Sequence, residues 1–193
     1  MFVVRYKNRD PRAVRPAMVV TMDAEGSNIR LAMPTDVWSR GGHHPDRCPD
    51  DNHILMNLRL DSKTMRFVRF RFDGTGLIPL TEAVEGSGHP TLYPDGRHIL
   101  TDKYATGRFA DENGIVPLQW VDICSGEETT IVRIPTNPRF AGPRREFRVA
   151  PHPSWDRTYR YVAFNAAPGG VRRVYIADMA PLLGASRNLI SAN

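Results

Sequence analysis

The chain has 193 residues, of which 41% are hydrophobic and 24% are charged, and its formal net charge is +5 at pH 7. This balance excludes an intrinsically disordered chain, and the length is enough for a domain with a real hydrophobic core. No run of about 18 apolar residues occurs, so we expect no transmembrane helix and no membrane partner.

The first residues, MFVVRYKNRDPR, do not resemble a signal peptide, because a charged residue directly follows a very short apolar stretch. The expected location is therefore the cytoplasm. The basic residues form neither a dense run nor a recognisable nucleic-acid-binding module, so no nucleic-acid partner is expected. Cys48 and Cys124 are too few for a disulfide scaffold, and the sequence leaves open whether they pair.

The elements predicted in chain order are short strands, separated by proline and glycine turns. They are Phe2–Tyr6, Met18–Met22, Ile29–Ala32, His53–Arg59, Arg66–Phe72, Gly76–Pro79, Ile99–Tyr104, Leu118–Ile123, Thr129–Ile134, Tyr161–Asn165 and Arg173–Ala177. A short helical turn is predicted at Ala180–Ala185, and no other segment keeps the apolar period of a helix. The sequence therefore predicts an all-β fold.

Three segments share a turn that contains a histidine and is followed by a strand. They read GHHPDRCPDDNHILMN (42–57), GHPTLYPDGRHIL (88–100) and PHPSWDRTYRYVAFN (151–165). His44 and His89 each precede an aspartate by six residues, and His44, His89 and His152 each precede a β-branched strand residue by ten. The three histidines are therefore predicted to be equivalent members of a repeat.

A second piece, a strand that ends in aspartate before a turn of small residues, recurs at Asp23, Asp73, Asp122 and Asp178. A period near fifty with turn and strand content is typical of a β-propeller. We predict a single partial propeller domain over 1–193, with blade-like repeats at roughly 1–40, 41–87, 88–148 and 149–193. About three and a half to four blades suggest that a second copy or missing blades would close the ring.

Five motifs resemble the repeats of TolB-like propellers, and their order resembles the C-terminal half of oligogalacturonate lyases. They are DAEGSNIRLA (23–32), DGTG (73–76), PDGRHIL (94–100), HPSW (152–155) and VYIADM (174–179). The resemblance implies a cytoplasmic enzyme that cleaves pectin-derived uronate oligomers by β-elimination. It also implies a divalent ion, usually Mn²⁺, held by three histidines and a glutamine.

His44 and His152 match two of the metal-ligand positions of that family, which also has a histidine where His89 stands. Phe147 and Ala150 occupy the positions of the glutamine and of the remaining histidine. The family's general base lies on an earlier blade, so no base is identified in this chain.

The residues themselves predict that three equivalent turns point His44, His89 and His152 toward a common axis, where imidazoles would bind Mn²⁺ or Zn²⁺. The alternative is that each histidine caps its own turn. Asp46 and Glu146 are candidates for a carboxylate ligand.

Other side chains are predicted to bind the substrate. Arginine has a planar fork that matches a carboxylate, so Arg145 and Arg148 are predicted to hold the substrate's carboxylates. Trp155 is predicted to stack on a sugar ring. The long segments Ala105–Pro117 and Pro135–Pro151 are of a length that is usually functional or disordered.

Two functions remain open at this stage. The first is a metal-assisted lyase acting on an acidic oligosaccharide, in a fragment that lacks its base. The second is a non-catalytic TolB-like module that binds a protein or an acidic sugar. No Gly-x-Ser-x-Gly motif occurs, which argues against a serine hydrolase with a propeller cap.

Overall fold

Four small antiparallel sheets follow one another along the chain. They are seen in a computed structural model that describes residues 1–5, 17–61, 63–104, 114–136 and 148–184. In each sheet, neighbouring strands are also consecutive in sequence.

The strand bounds of the first two sheets are as follows. The first sheet contains β1 (Phe2–Arg5), β2 (Ala17–Thr21) and β3 (Arg30–Met33), and the one-turn helix α1 (Thr35–Trp38) follows it. The second sheet contains β4 (His43–Arg47), β5 (His53–Arg59), β6 (Met65–Arg71) and β7 (Ile78–Pro79).

The last two sheets are built in the same way. The third contains β8 (Thr91–Leu92), β9 (His98–Asp102), β10 (Ile115–Asp122) and β11 (Glu128–Pro135). The fourth contains β12 (Ser154–Trp155), β13 (Tyr161–Ala166) and β14 (Arg173–Asp178), with a 3₁₀ turn at Pro168–Gly170. Residues 180–184 form a helical turn.

The all-β prediction is confirmed, and every predicted strand has a counterpart whose ends agree within a few residues. Three strands were missed, namely β4, β8 and β12, and each directly follows or contains a histidine turn. The sequence of β4 is HHPDR, which has no apolar alternation, and β8 and β12 are two residues long. The predicted helical turn is confirmed over 180–184, whereas Ala185 lies outside the described residues.

The chain divides into two compact units. The first contains Met1–Ile99 and Val121–Glu128, and the second contains Leu100–Trp120 and Thr129–Asn193. The single-domain prediction and its repeat boundaries remain predictions. No helix in the described ranges is long and apolar enough to cross a bilayer.

The hydrophobic core of the first unit uses both faces of the second sheet. One cluster joins Ile54, Met56 and Leu58 of β5 to residues of the first sheet. A second cluster contains Leu55, the residue between Ile54 and Met56, together with Leu92 and Ile99. Alternate side chains of a strand point to opposite faces, so residues 54–56 and Leu58 of β5 are all apolar because both faces of the strand are covered.

Aspartate turns begin the second strand of the later sheets. The carboxylate of Asp50 accepts the N–H groups of Asn52 and His53, each at 3.0 Å, just where β5 starts. Asp95 accepts the N–H groups of Arg97 and His98 in the same way before β9. Asp156 stands two positions earlier in its turn and accepts the N–H groups of Arg160 and Tyr161 before β13. The six-residue spacing from histidine to aspartate is therefore shared by the turns before β5 and β9.

One detail of the predicted repeat is wrong. Backbone hydrogen bonds place Phe72, Ile123 and Met179 at equivalent positions. The residue just before this position is Asp122 in the third sheet and Asp178 in the fourth, but Arg71 in the second. Asp73 therefore lies two residues further along the chain than the position equivalent to Asp122 and Asp178. Asp122 and Asp178 form ion pairs with Arg97 and Arg160, respectively, whereas Asp73 bonds within its own turn.

The two cysteines are not paired. Cys48 is buried and Cys124 is exposed, and both are free thiols. Burial raises the pKa of the Cys48 thiol to about 12, so that it behaves as an apolar core residue.

The buried second sheet generates a stability prediction. Leu55→Ala should lower the free energy of unfolding by about 2–5 kcal/mol, because Leu55 is fully buried and truncation leaves a cavity. Ile78→Ala, in the same sheet but 45% exposed, is the matched control and should cost much less. Urea unfolding of both variants measures the difference, and equal losses would contradict the assignment of the core.

Candidate functional site

The three histidine turns occupy the same position in three successive sheets. The N–H groups of Cys48, Tyr93 and Asp156 donate to the carbonyl that begins the next strand, at 2.9, 2.8 and 2.9 Å. His44, His89 and His152 each lie four residues before one of these donors. The register therefore confirms their predicted equivalence, while their predicted role as metal ligands remains a prediction.

The backbone at two of these turns adopts an unfavourable conformation. His44 and His152 have φ values of 53° and 50°, in the left-handed region, and each precedes a proline. In the remaining turn Gly88 takes the left-handed conformation, with φ 68°, so His89 does not have to. A non-glycine residue held in this region is an observed strain, and such strain is concentrated at functional sites.

Two of the three repeated histidines, His44 and His89, have their imidazole rings in contact in the first unit. The ring centroids of His44 and His89 lie 3.9 Å apart with their planes tilted by 52°, although the residues come from successive sheets. The ring of His43 lies 5.8 Å from that of His44. His152 belongs to the second unit. The first unit therefore brings three neighbouring imidazoles to the start of β4 and β8.

Two arginines add positive charge beside these rings. The pKa of His43 lies below its usual value because surrounding protein atoms disfavour the charged form, although part of the side chain reaches solvent. The positive charges of Arg5 and Arg59 lower it further. His43 is therefore neutral at pH 7, and the permanent charge of the cluster comes from the guanidinium groups.

Two glycines allow the chain to reach this position. A Cβ on Gly42 would lie 2.9 Å from the methyl group of Met56 and 3.1 Å from the ring of Trp38. A Cβ on Gly41, where φ is 123°, would lie 3.2 Å from Cδ of Arg59. The backbone at Gly41 and Gly42 thus packs against the aliphatic part of Arg59 and the buried indole of Trp38, immediately before His43.

A buried amide connects the second sheet to the next histidine turn. Asn57 lies on β5, four residues after His53, and its side chain is fully buried. Its Nδ2 donates a hydrogen bond to the carbonyl of Gly88 at 2.8 Å. Gly88 immediately precedes His89, so this bond fixes the turn that carries the imidazole. A Cβ on Gly86 would lie 2.7 Å from Oδ1 of Asn57, so the approach requires glycine there.

The second unit repeats this arrangement with a carboxylate. Asp102 stands four residues after His98, as Asn57 stands four after His53, and it is 1% exposed. Its Oδ2 accepts the N–H of His152 at 3.1 Å. Neither Asn57 nor Asp102 was predicted as a site residue. Their signal in the sequence is a polar residue four positions after the histidine that begins a largely apolar strand, in HILMN and HILTD.

Two of the predicted substrate-binding residues, Arg148 and Trp155, belong to the second unit. Trp155 is half-buried on β12, with its ring edge-on to Trp120 at 6.1 Å and tilted against Tyr159 at the same distance. Arg148 is exposed, and its carbonyl accepts a hydrogen bond from Arg172. Their sugar-binding roles remain predictions.

Several further candidates fall outside the described residues. These are Arg145, Glu146 and Phe147. Ala150, where the family resemblance expects a histidine, is described, and its carbonyl accepts a hydrogen bond from Asn165.

The described residues do not complete a metal centre. No group of three or more His, Cys, Asp or Glu side chains suited to a metal ion occurs in the described ranges. The pair His44 and His89 offers two nitrogen ligands, fewer than the three protein ligands that catalytic zinc sites use. Mn²⁺ also favours oxygen ligands, which this pair does not supply.

No protein-family model matches this sequence, and no curated protein matches it. Solved structures do match its fold. TolB from Acinetobacter baumannii is 13% identical, matches 91% of this chain over 38% of its own, and has a TM-score of 0.60. The predicted fold class, a partial β-propeller, is therefore confirmed. More narrowly, the fold is that of TolB-like propellers.

Two further structures are similar to the chain. A putative TolB from Agrobacterium tumefaciens is 18% identical and covers 91% of this chain and 54% of its own, with a TM-score of 0.49. An oligogalacturonate lyase in complex with manganese is 16% identical and covers 86% and 55%, with a TM-score of 0.47. The chain thus spans between 38% and 55% of the length of these three structures. At such identities the likeness concerns the fold.

The buried amide generates the next prediction. Asn57→Ala should lower the free energy of unfolding by about 1–3 kcal/mol, because it removes a buried hydrogen bond. Asn52→Ala, in an exposed turn, is the control and should cost less. Urea unfolding gives the energies, and the imidazole resonances of His89 in NMR spectra should shift in Asn57→Ala alone. Unchanged His89 resonances would contradict the positioning role.

His43 generates a prediction about pH. Its pKa is lower in the folded protein than in the unfolded chain, where histidine titrates near about 6.5. As the pH falls below that value, the unfolded chain binds the proton more readily, so the folded state should lose stability. His43→Asn should flatten the stability profile between about pH 7 and pH 5. Unfolding curves at several pH values check this, and an unchanged slope would contradict it.

Proposed function

We propose that the first unit binds an acidic oligosaccharide at its histidine turns, and that the chain is a TolB-like binding module. The observation that carries this proposal is the convergence of His43, His44 and His89 with the positive charges of Arg5 and Arg59. All five side chains are at least partly accessible to solvent.

The chemistry of these groups suits a uronate. A guanidinium binds a carboxylate through two parallel hydrogen bonds, and it stays charged at every physiological pH. A neutral imidazole both donates and accepts a hydrogen bond, which matches a sugar hydroxyl. Arginines would therefore select the acidic group while the imidazoles contact the hydroxyls, and a neutral sugar would use half of the site.

The binding test compares digalacturonate with a neutral disaccharide of the same size by isothermal titration calorimetry. We expect the acidic ligand to bind more tightly. Arg59→Ala should weaken it by about tenfold, as the loss of one charged hydrogen bond predicts, and His89→Ala by about twofold to tenfold, as the loss of one hydrogen bond to a sugar hydroxyl predicts. Arg133→Ala, an exposed arginine on β11, is the matched control. Equal affinity for both sugars, or an equal loss in the control, would overturn the proposal.

A second candidate is β-elimination of the same ligand, as the resemblance to oligogalacturonate lyases suggests. The observation that favours it is the contact between His44 and His89, because histidine is the commonest general base. In that reaction the proton α to the carboxylate is removed, the C–O bond to the leaving sugar breaks, and a C=C bond forms. The described donors do not complete a metal centre, so no step is assigned to a metal.

The second candidate has its own test. A melting curve with and without Mn²⁺ reports binding to the folded state, since a ligand of that state raises the melting temperature. A rise that is lost in His44→Ala and in His89→Ala, together with ultraviolet absorbance from the new conjugated C=C bond, would establish the lyase. A melt indifferent to Mn²⁺, with sugar binding intact, would favour the binding module.

A further inference from the structure

Sheets of the first unit pack on one another in a fixed sense. The first sheet places Val19 and Met33 in one cluster with Met56 and Val68 of the second sheet. We call the face of a sheet that packs on the next sheet its forward face, and the face that packs on the preceding sheet its backward face. The second sheet repeats the rule, because Phe67 of its forward face clusters with residues of β8–β10.

The backward face of the first sheet is apolar and open to solvent. Phe2 on β1 is 52% exposed, and Leu31 on β3 is 51% exposed. Both are cross-strand partners of Val20 on β2, so all three lie on the side opposite Val19. This is the side that corresponds to Met56 and Val68 in the second sheet.

The forward face of the fourth sheet is open in the same way. Val174 and Ile176 on β14 are 69% and 73% exposed. Val174 pairs with Asn165 just as Phe67 pairs with Asn57 in the second sheet, so Val174 occupies the forward position that is buried there. The fourth sheet thus presents an aliphatic forward face with solvent in place of a following sheet.

We propose that the forward face of the fourth sheet packs on the backward face of the first sheet of a second copy of this chain. Within the first unit, forward faces pack on backward faces, and the described residues of each copy include an exposed apolar face of each kind. Exposed large apolar residues of the described ranges are concentrated on or beside these two sheets. Contiguous exposed apolar surface of this kind marks an interaction site.

The contact is heterologous, since two different surfaces meet. After the first contact, each copy keeps one free face, and the pair therefore keeps one free face of each kind. The assembly either closes with its second contact or grows by adding further copies. In both cases disabling one face of every copy must abolish assembly, whichever face is chosen.

The experiment measures molar mass by sedimentation velocity on the full chain, with Ile176→Asp disabling the forward face and Leu31→Asp the backward face. The parent should sediment as two or more chains, and each variant alone as one. An equimolar mixture of the two variants should form a species of two chains and no larger, since one intact face of each kind remains. Val132→Asp, an exposed aliphatic residue on β11, is the control and should assemble like the parent.

The proposal is overturned by a parent that stays monomeric at its highest soluble concentration, which would leave these faces to other polypeptides. It is also overturned if Ile176→Asp is monomeric while Leu31→Asp still assembles, because the fourth sheet would then pair with itself. Circular dichroism establishes that each variant is folded. If one is not, Val174→Ser or Phe2→Ser takes its place.

Discussion

The positions of His89 and His152 depend on hydrogen bonds made with buried polar side chains of the preceding sheet. Asn57 holds the carbonyl before His89, and Asp102 holds the N–H of His152. The bond from Asn57 is expensive to break because the carbonyl of Gly88 is buried and would be left unsatisfied. Both bonds link a buried strand residue to a histidine turn, so the geometry of these turns depends on how the sheets pack as well as on the turns themselves.

The arginines and histidines of the candidate site have different electrostatic roles. Arg5 and Arg59 carry charge at every accessible pH, and their presence helps to keep His43 neutral. A neutral imidazole retains both a donor and an acceptor, whereas a protonated one only donates. The arginines thereby set the hydrogen-bonding character of their neighbour in addition to supplying attraction for an anion.

Much of the fold could be predicted from local sequence. Strands with β-branched and apolar residues, such as β5 and β14, were found because of that composition. In β5 burial agrees with the propensity, whereas Val174 and Ile176 of β14 are exposed. The short strands β8 and β12 were missed because two residues cannot establish a period. The offset of Asp73 was missed because spacing alone does not fix hydrogen-bond register.

The candidate site was predicted only in part. The histidine repeat was visible in the sequence, because the same turn chemistry precedes each strand. Arg5 and Arg59 were not, because their proximity to His43 depends on three different strands. The hydrogen bonds of His53 with Asp50 and of His98 with Asp95 join residues three apart, and the repeated D-x-x-H spacing in the sequence is the signal for them.

The left-handed backbone at His44 and His152 has a consequence for how this sequence can evolve. Glycine adopts that conformation without a steric cost, so drift at these two positions should favour glycine whenever the ring is dispensable. A histidine that persists there across related chains would therefore record selection on the imidazole itself. Gly88 also has a left-handed backbone conformation, so a glycine that persists at position 88 across related chains would indicate selection on the backbone conformation.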